Sequence, residues 1–250
     1  MIAAMRENFP ACMAIVKKWE GGNDDDPRDP GGRTSRGVIQ REYDHYRQAK
    51  GQPSRDVWTM ADAERDEIFK AGYWDIVSAD QLPAGIDLVT FDPAINSGPA
   101  QGVKWLQRAL GVADDGRVGL VTRDAAAVAA RQPDNGAAVI QRACANRSAF
   151  LHRLRAFDHF GKGWMNRVAD VEARAVAMLQ AASPARPSKT LSDHAVEANN
   201  QRVNAATGAT TTAAGAGAAA TSSNTDLPWA VLQQRPWLAV LLFFACAAGV

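Results

Sequence analysis

Cysteine and histidine are scarce in this chain, and their scarcity removes several chemistries at once. The three cysteines, Cys12, Cys144 and Cys246, are odd in number, far apart and without a CxxC pair. Neither a disulfide framework nor a zinc site is expected from them. The four histidines, His45, His152, His159 and His194, make no HExxH and no compact ligand cluster. DDDPRD at 24–29 lacks the spaced oxygens, the glycine and the terminal glutamate of a calcium loop, and no GxxxxGKS or GxxxxGKT phosphate loop is present. No motif therefore calls for a metal or a cofactor. Long alternations of apolar and polar residues are missing too, so any sheet is small and confined to the loop after Glu20. Met1 to Met5 begin no apolar core with a small-residue cleavage site, so an ordinary signal peptide is not expected. The folded part should meet a reducing cytoplasm first, and export then needs another route.

What the chain does have is enough apolar sequence for one or two real cores: 250 residues, 46% hydrophobic and 22% charged. The formal net charge is only +1, but the signs are unevenly spread. Residues 1–95 carry 12 Lys/Arg against 17 Asp/Glu, net −5, and residues 96–182 carry 12 against 7, net +5. The second stretch is the better candidate for touching an anionic polymer, although solvated helix faces would account for the same charge. No basic stripe of the kind DNA binding requires is seen, so nucleic acid is not an expected partner.

The C-terminal quarter changes character. Ser183 to Asp226 is rich in Ala, Thr, Ser and Gly, with TTTAAGAGAAATSS at its centre, and reads as a flexible linker. Leu227 to Val250 is apolar apart from the Gln233, Gln234, Arg235, Pro236 break and ends in PWLAVLLFFACAAGV. A membrane span of about 20 residues fits there if the break is tolerated, with Trp229 and Trp237 at interfaces. Arg235 would keep the linker and what precedes it on the cytoplasmic side. The expected organisation is thus four segments: 6–95, 96–182, a 183–226 linker and a 227–250 hydrophobic tail.

Between the ends the periodicity is helical. Phe9, Met13, Val16 and Trp19 recur at helical spacing, and Val38, Tyr43 and Tyr46 line another short helix. Thr59 followed by Asp62 reads as a capping-box start, with Ile68, Ala71 and Gly72 carrying the apolar face to Tyr73 and Trp74. Further helices are predicted at 82–95, 99–110, 120–131, 135–157 and 164–182.

Glu20 closes the first apolar stretch and is followed at once by Gly21, Gly22 and an acidic loop broken by Pro and Gly that runs to Thr34. A helix is a rigid platform for a catalytic carboxyl, paired glycines let backbone or substrate approach it, and the loop can bring a second carboxylate and a hydroxyl nearby. That combination suits cleavage of a glycosidic bond. The ordinary alternative is a helix-end glutamate in a surface salt bridge.

Several motifs in order carry a resemblance. WEGGNDDDPRDPGGRTSRGV at 19–38, AGYWD at 71–75 and FDPAINSGPAQGVKWLQRALGV at 91–112 resemble glycoside hydrolase family 108, the phage-type endolysins and secretion-associated muramidases. DDGRVGLVT at 114–122 and FGKGWMNRV at 160–168 look like the peptidoglycan-binding domain that commonly follows. The resemblance implies a mainly α, lysozyme-like catalytic domain with at most a small β-hairpin, then a helical peptidoglycan-binding domain. It implies cleavage of the β-1,4 bond between N-acetylmuramic acid and N-acetylglucosamine in bacterial peptidoglycan, with no cofactor.

The family's catalytic glutamate maps onto Glu20. A general acid must be protonated at working pH, and Trp19 with the neighbouring apolar helix could supply the desolvation. Phage-type lysozymes place an aspartate after eight intervening residues, which leads to Asp29, with Asp24, Asp25 and above all Asp26 as competitors. Five more intervening residues reach Ser35, whereas the GG-x-T pattern points to Thr34, which is preferred. Asp29 and Thr34 holding a water opposite Glu20 would invert the anomeric centre, with the carboxyl groups about 6.5–9.5 Å apart. About 5 Å would instead indicate retention.

Gly21 and Gly22 are expected to border the substrate. Tyr73 and Trp74 offer sugar-stacking faces, although aromatics at helical spacing more often belong to a core. Asp92 and Asn96, with Ser97, could hydrogen-bond N-acetyl groups, or Asn96 could cap the next helix. Asp115, Gly116 and Thr122 read first as turn and cap residues, leaving glycan contact to the basic surface around Arg117, Arg123 and Lys162. A phage or prophage setting would add a holin as a possible partner, with the tail holding the enzyme at the inner membrane until release. The rival reading is a non-catalytic wall-binding or morphogenesis protein on the same scaffold. An amidase would require a zinc or Cys-His site that is not found.

Overall fold

Pro10 sits in the first turn of α1 (Phe9–Val16), where a missing amide hydrogen costs nothing, and Cys12, Met13, Ile15 and Val16 face inward. The computed structural model describes residues 8–25 and 33–182. Regular helix ends at Val16, short of the expected Trp19: the amides of Lys18 and Trp19 reach the carbonyls of Ile15 and Val16 at 3.2 and 2.9 Å, a tightened turn that delivers Glu20.

Beyond Glu20 lies a small antiparallel sheet in the order β1 (Asn23–Asp24), β2 (Thr34–Ser35), β3 (Val38–Ile39). Asn23 stands opposite Ser35 and Asp24 opposite Thr34, while Thr34 and Ser35 face Ile39 and Val38. The two-residue turn Arg36–Gly37 has positive φ at both positions, 48° and 84°, as a type I′ hairpin turn demands. Arg36 is held in this uncommon conformation by its guanidinium, which donates to Asp62 and to the Met60 carbonyl.

Helix α2 (Gln40–Ala49) buries Tyr43 and Arg47. Helix α3 (Asp62–Phe69) starts later than the Thr59 capping box would have it. Ala61 is the N-cap, its amide donates to Glu64 Oε2 at 2.9 Å, and the Thr59 hydroxyl turns back to the Asp56 carbonyl. A π turn over Lys70–Trp74 then swings Tyr73 and Trp74 inward. Trp74 is fully enclosed, edge-on to Phe9 and Phe91 at 5.4 and 5.2 Å, and its indole donates to Asp80. Truncating such a side chain to alanine costs about 3–5 kcal/mol.

Helix α4 (Ile86–Ser97) is central among the described helices. Every residue from Ile86 to Asn96 is buried, so it has no solvated face, and α5 (Pro99–Leu110), α7 (Pro133–Leu151) and α8 (Phe157–Ala182) all pack on it. Gly85, at φ 82°, begins α4 where a β-carbon would lie 2.1 Å from the Ala175 carbonyl of α8. No other residue fits that crossing. Helix α6 (Leu120–Ala130) is joined to α5 by a turn built on the buried Gln107, whose amide donates to Asp115, the Arg117 carbonyl and Thr122 and accepts from the Gly116 amide. Asp115, Gly116 and Thr122 therefore serve this connection. Helix α8 presents Trp164, Val168, Val171, Ala175 and Leu179 to the interior at helical spacing.

Among the described residues the chain is mainly α, with one small sheet, and a single hydrophobic core runs from Cys12 on α1 to Leu179 on α8. The segment boundary expected at 95/96 falls within α4. The expected linker and tail, 183–226 and 227–250, lie outside the described residues. No helix among the described residues is long and apolar enough to cross a membrane.

Candidate active site

Glu20 leaves the end of α1 with its side chain only 6% exposed. The hairpin turn between β2 and β3 presses on it from one side: a β-carbon on Gly37 would sit 2.7 Å from Glu20 Oε2 and 3.0 Å from the ring of Phe69. From the other side comes α8, where Arg167 Nη2 donates to Glu20 Oε1 at 2.9 Å.

Arg167 does not belong to Glu20 alone. Its Nε and Nη2 donate to Asp92 Oδ1 at 2.9 and 2.7 Å, a fork onto α4. Asp92 Oδ2 accepts in turn from Arg147 Nη1 of α7 at 2.5 Å, and Arg147 Nη2 donates to Asn96 Oδ1 at 2.8 Å. The chain of contacts Glu20–Arg167–Asp92–Arg147–Asn96 is buried throughout, with Asp92 wholly enclosed. Unpaired charges could not survive there.

The electrostatics divide the two carboxyls. Burial pushes Glu20 above the ordinary glutamate range; Arg167 opposes this, and Asp92 adds to it. Burial would push Asp92 up as well, but Arg167 and Arg147 together hold it below the usual aspartate range. Arg167 is desolvated yet kept firmly cationic by Asp92 and Glu20. The arrangement is one carboxylate held low between two guanidiniums and one enclosed carboxyl shifted the opposite way, a separation suited to general-acid chemistry.

Two family models match the chain: Glycosyl hydrolase 108 over residues 13–98 and Predicted Peptidoglycan domain over residues 101–169. The solved structure of SagA from Brucella abortus is 36% identical, with a TM-score of 0.59, over 69% of this chain and 96% of that one. The chain belongs to the glycosyl hydrolase 108 family. No curated protein matches it. Family membership makes it a glycoside hydrolase of the lysozyme type, and the second matched region supports peptidoglycan as its partner.

In this glycosyl hydrolase 108 chain the residues singled out in sequence fare differently. Thr34 and Ser35 are both buried in β2, and Ser35 Oγ donates to Asn23 Oδ1 at 2.7 Å. Gly22 is exposed and its carbonyl accepts from the Arg36 amide, while Gly21 is half-buried. Asp29 and Asp26 lie outside the described residues. Trp19, beside Glu20 in the chain, is half-buried, and its indole donates to Asp170 on α8 at 2.9 Å.

Four expected substrate contacts are corrected. Tyr73 and Trp74 are interior residues with no ring face open to a sugar, because the π turn after α3 rotates both into the core. Asp92 and Asn96 are equally withdrawn, with their oxygens taken by Arg167 and Arg147.

Arg167, Arg147 and Gly37 were the residues that sequence reasoning missed. A signal existed for the arginines. Arg147 occupies the inward stripe of α7 with Val139, Ile140, Ala143, Cys144 and Leu151, and Arg167 sits beside Trp164 and Val168 on the inward stripe of α8. An arginine at an apolar position of a helix implies a buried acid elsewhere. For Gly37 the signal was the Arg-Gly pair in a run too short for a long loop.

Proposed function

We propose that the protein is an N-acetylmuramidase that cleaves the β-1,4 bond between N-acetylmuramic acid and N-acetylglucosamine, with Glu20 as the general acid. The observation that carries this reading is the enclosed Glu20 carboxyl, raised above its ordinary range by burial although an arginine touches it. Glu20 would protonate the leaving glycosidic oxygen. Asp29, or Asp26 in its place, would activate water on the opposite face of the sugar, with Thr34 in preference to Ser35 helping to hold it. In that arrangement the anomeric centre inverts, which requires room for the water between the two carboxyls.

The test is the clearing of purified peptidoglycan by Glu20→Gln, Asp29→Asn and Asp26→Asn proteins of matched thermal stability. Glu20→Gln should lose at least about 10²-fold in rate, the range a positioned general acid supplies. Asp29→Asn should fall much further than Asp26→Asn. A Glu20→Gln protein that clears at the wild-type rate would overturn the assignment.

We further propose a role in phage-type lysis or in wall remodelling for secretion, with the apolar 227–250 segment holding the enzyme at the cytoplasmic side of the inner membrane until a holin or loss of membrane potential releases it. Support comes from the apolar sequence of the tail. Fractionation of the full-length protein into the soluble pool, together with unchanged lysis timing for a variant ending at residue 226, would rule this out.

A further inference from the structure

The second matched region reaches into the first one's site. Residues 101–169 contribute both arginines of the buried chain, Arg147 from α7 and Arg167 from α8, while Glu20 and Asp92 come from residues 13–98. Arg167 has two carboxyls within reach of one guanidinium. It gives Asp92 a two-pronged grip through Nε and Nη2 and Glu20 a single contact through Nη2. Arg147 closes the far side of Asp92.

We propose that Arg167 is a positioning residue for Glu20 and that Asp92 is the counter-charge that keeps Arg167 from locking Glu20 in its ionised form, so that the peptidoglycan-binding region is an integral part of the catalytic centre. The inference rests on Glu20 being the general acid. Geometrically, the fork onto Asp92 fixes the guanidinium whose Nη2 holds the reacting carboxyl, and positional errors of about 1 Å in such groups cost about 10²-fold in rate. Electrostatically, among the described residues, Arg167 from α8, Asp92 from α4 and Arg147 from α7 act on Glu20. On the hairpin side Gly37, which brings no charge, lies against Glu20 Oε2. With Asp92 ionised between the arginines, one positive charge is cancelled locally. The other is left facing a carboxyl whose enclosure favours the proton.

The signs of the perturbations follow. Taking away Arg167 removes a cation that favours ionised Glu20, so Glu20 holds its proton to higher pH. Replacing Asp92 by Asn frees Arg167 to act on Glu20 alone, so Glu20 gives up its proton at lower pH. Lysine at 167 keeps the charge but cannot fork onto both carboxyls.

The experiment is the pH profile of peptidoglycan clearing by full-length wild type, Arg167→Gln, Arg167→Lys, Asp92→Asn and Glu20→Gln, each with its unfolding temperature. The alkaline limb should move up for Arg167→Gln and down for Asp92→Asn, each by about 1 pH unit or more, as expected for a charge within about 4–6 Å. Arg167→Lys should keep the wild-type limb with a maximal rate reduced about 10-fold or more, a positioning loss without a charge loss. A merely structural role would lower rates and leave every limb in place. If Arg167→Gln does not fold, Asp92→Asn and Arg167→Lys carry the test. An inactive Glu20→Gln alongside coincident limbs in the other variants would overturn this proposal alone. An active Glu20→Gln would overturn it together with the general-acid reading.

Discussion

Gly37→Ala isolates the contact on which the candidate site depends. The residue sits at φ 84°, and an added β-carbon would lie 2.7 Å from Glu20 Oε2 and 3.0 Å from Phe69 Cζ. Two effects add. Holding alanine in the left-handed region costs about 1–2 kcal/mol, which at this chain length lowers the unfolding temperature by about 2–8 °C. The collision also forces the carboxyl or the turn aside by about half an ångström; taking about 10²-fold per ångström of misplacement as the scale, that predicts about a 10-fold loss of rate.

Gly51→Ala is the matched control. Gly51 also has positive φ, 67°, but a β-carbon there meets nothing within 4 Å. It should lose similar stability and keep its activity. The assay is clearing of purified peptidoglycan with calorimetry on the same samples. Equal activities for the two alanine variants would refute the claim that the hairpin turn sets the position of Glu20.

Two other outcomes test the burial of titratable groups. Asp87, wholly enclosed in the first turn of α4, has its pKa raised from 3.8 to about 6 by burial, against the hydrogen bonds that it accepts. A carboxyl raised on folding contributes stability that is fully present below about pH 4 and is lost as pH climbs through about 6. The stability of wild type relative to Asp87→Asn should therefore fall by up to about 3 kcal/mol across that interval, read by denaturant titration; a pH-independent difference would contradict it. Cys12 and Cys144 are buried thiols, the first pushed well above its ordinary range by burial and the second to about 12. In a Cys246→Ser background, alkylation at pH 8 should label neither until denaturant is added, and stoichiometric labelling of the native protein would show the core to be open.

How far the sequence carried differs from one part of the molecule to another. Helix α5 was legible to the residue because Pro99 and Gly111 punctuate it and its apolar stripe is clean. The join between α7 and α8 was not. Residues 152–156 contain no Gly or Pro to mark the turn, whereas Gly161 and Gly163 made the start of α8 look later than Phe157. Gly161 is there for packing, since a β-carbon would sit 2.8 Å from the Phe157 ring.

At the site, Glu20 was legible from its own neighbours in sequence. Its electrostatic partners were not, because Arg147 and Arg167 lie 55 and 75 residues from the Asp92 they share. Local pattern therefore turned Asp92 and Asn96 outward toward sugar, when pairing at a distance turns them inward. The same limit applies to Tyr73 and Trp74, whose direction is set by a π turn that no motif announces.

The central claim is that Glu20 cuts the muramic acid linkage, and the identity of the new chain end tests it most directly. Sacculi digested by wild type and by Glu20→Gln would be reduced with borohydride and their fragments identified by mass spectrometry. Wild type should release fragments ending in reduced N-acetylmuramic acid, and a folded Glu20→Gln protein should release none. Reduced N-acetylglucosamine ends, or the same muramic acid ends from both proteins, would contradict the account.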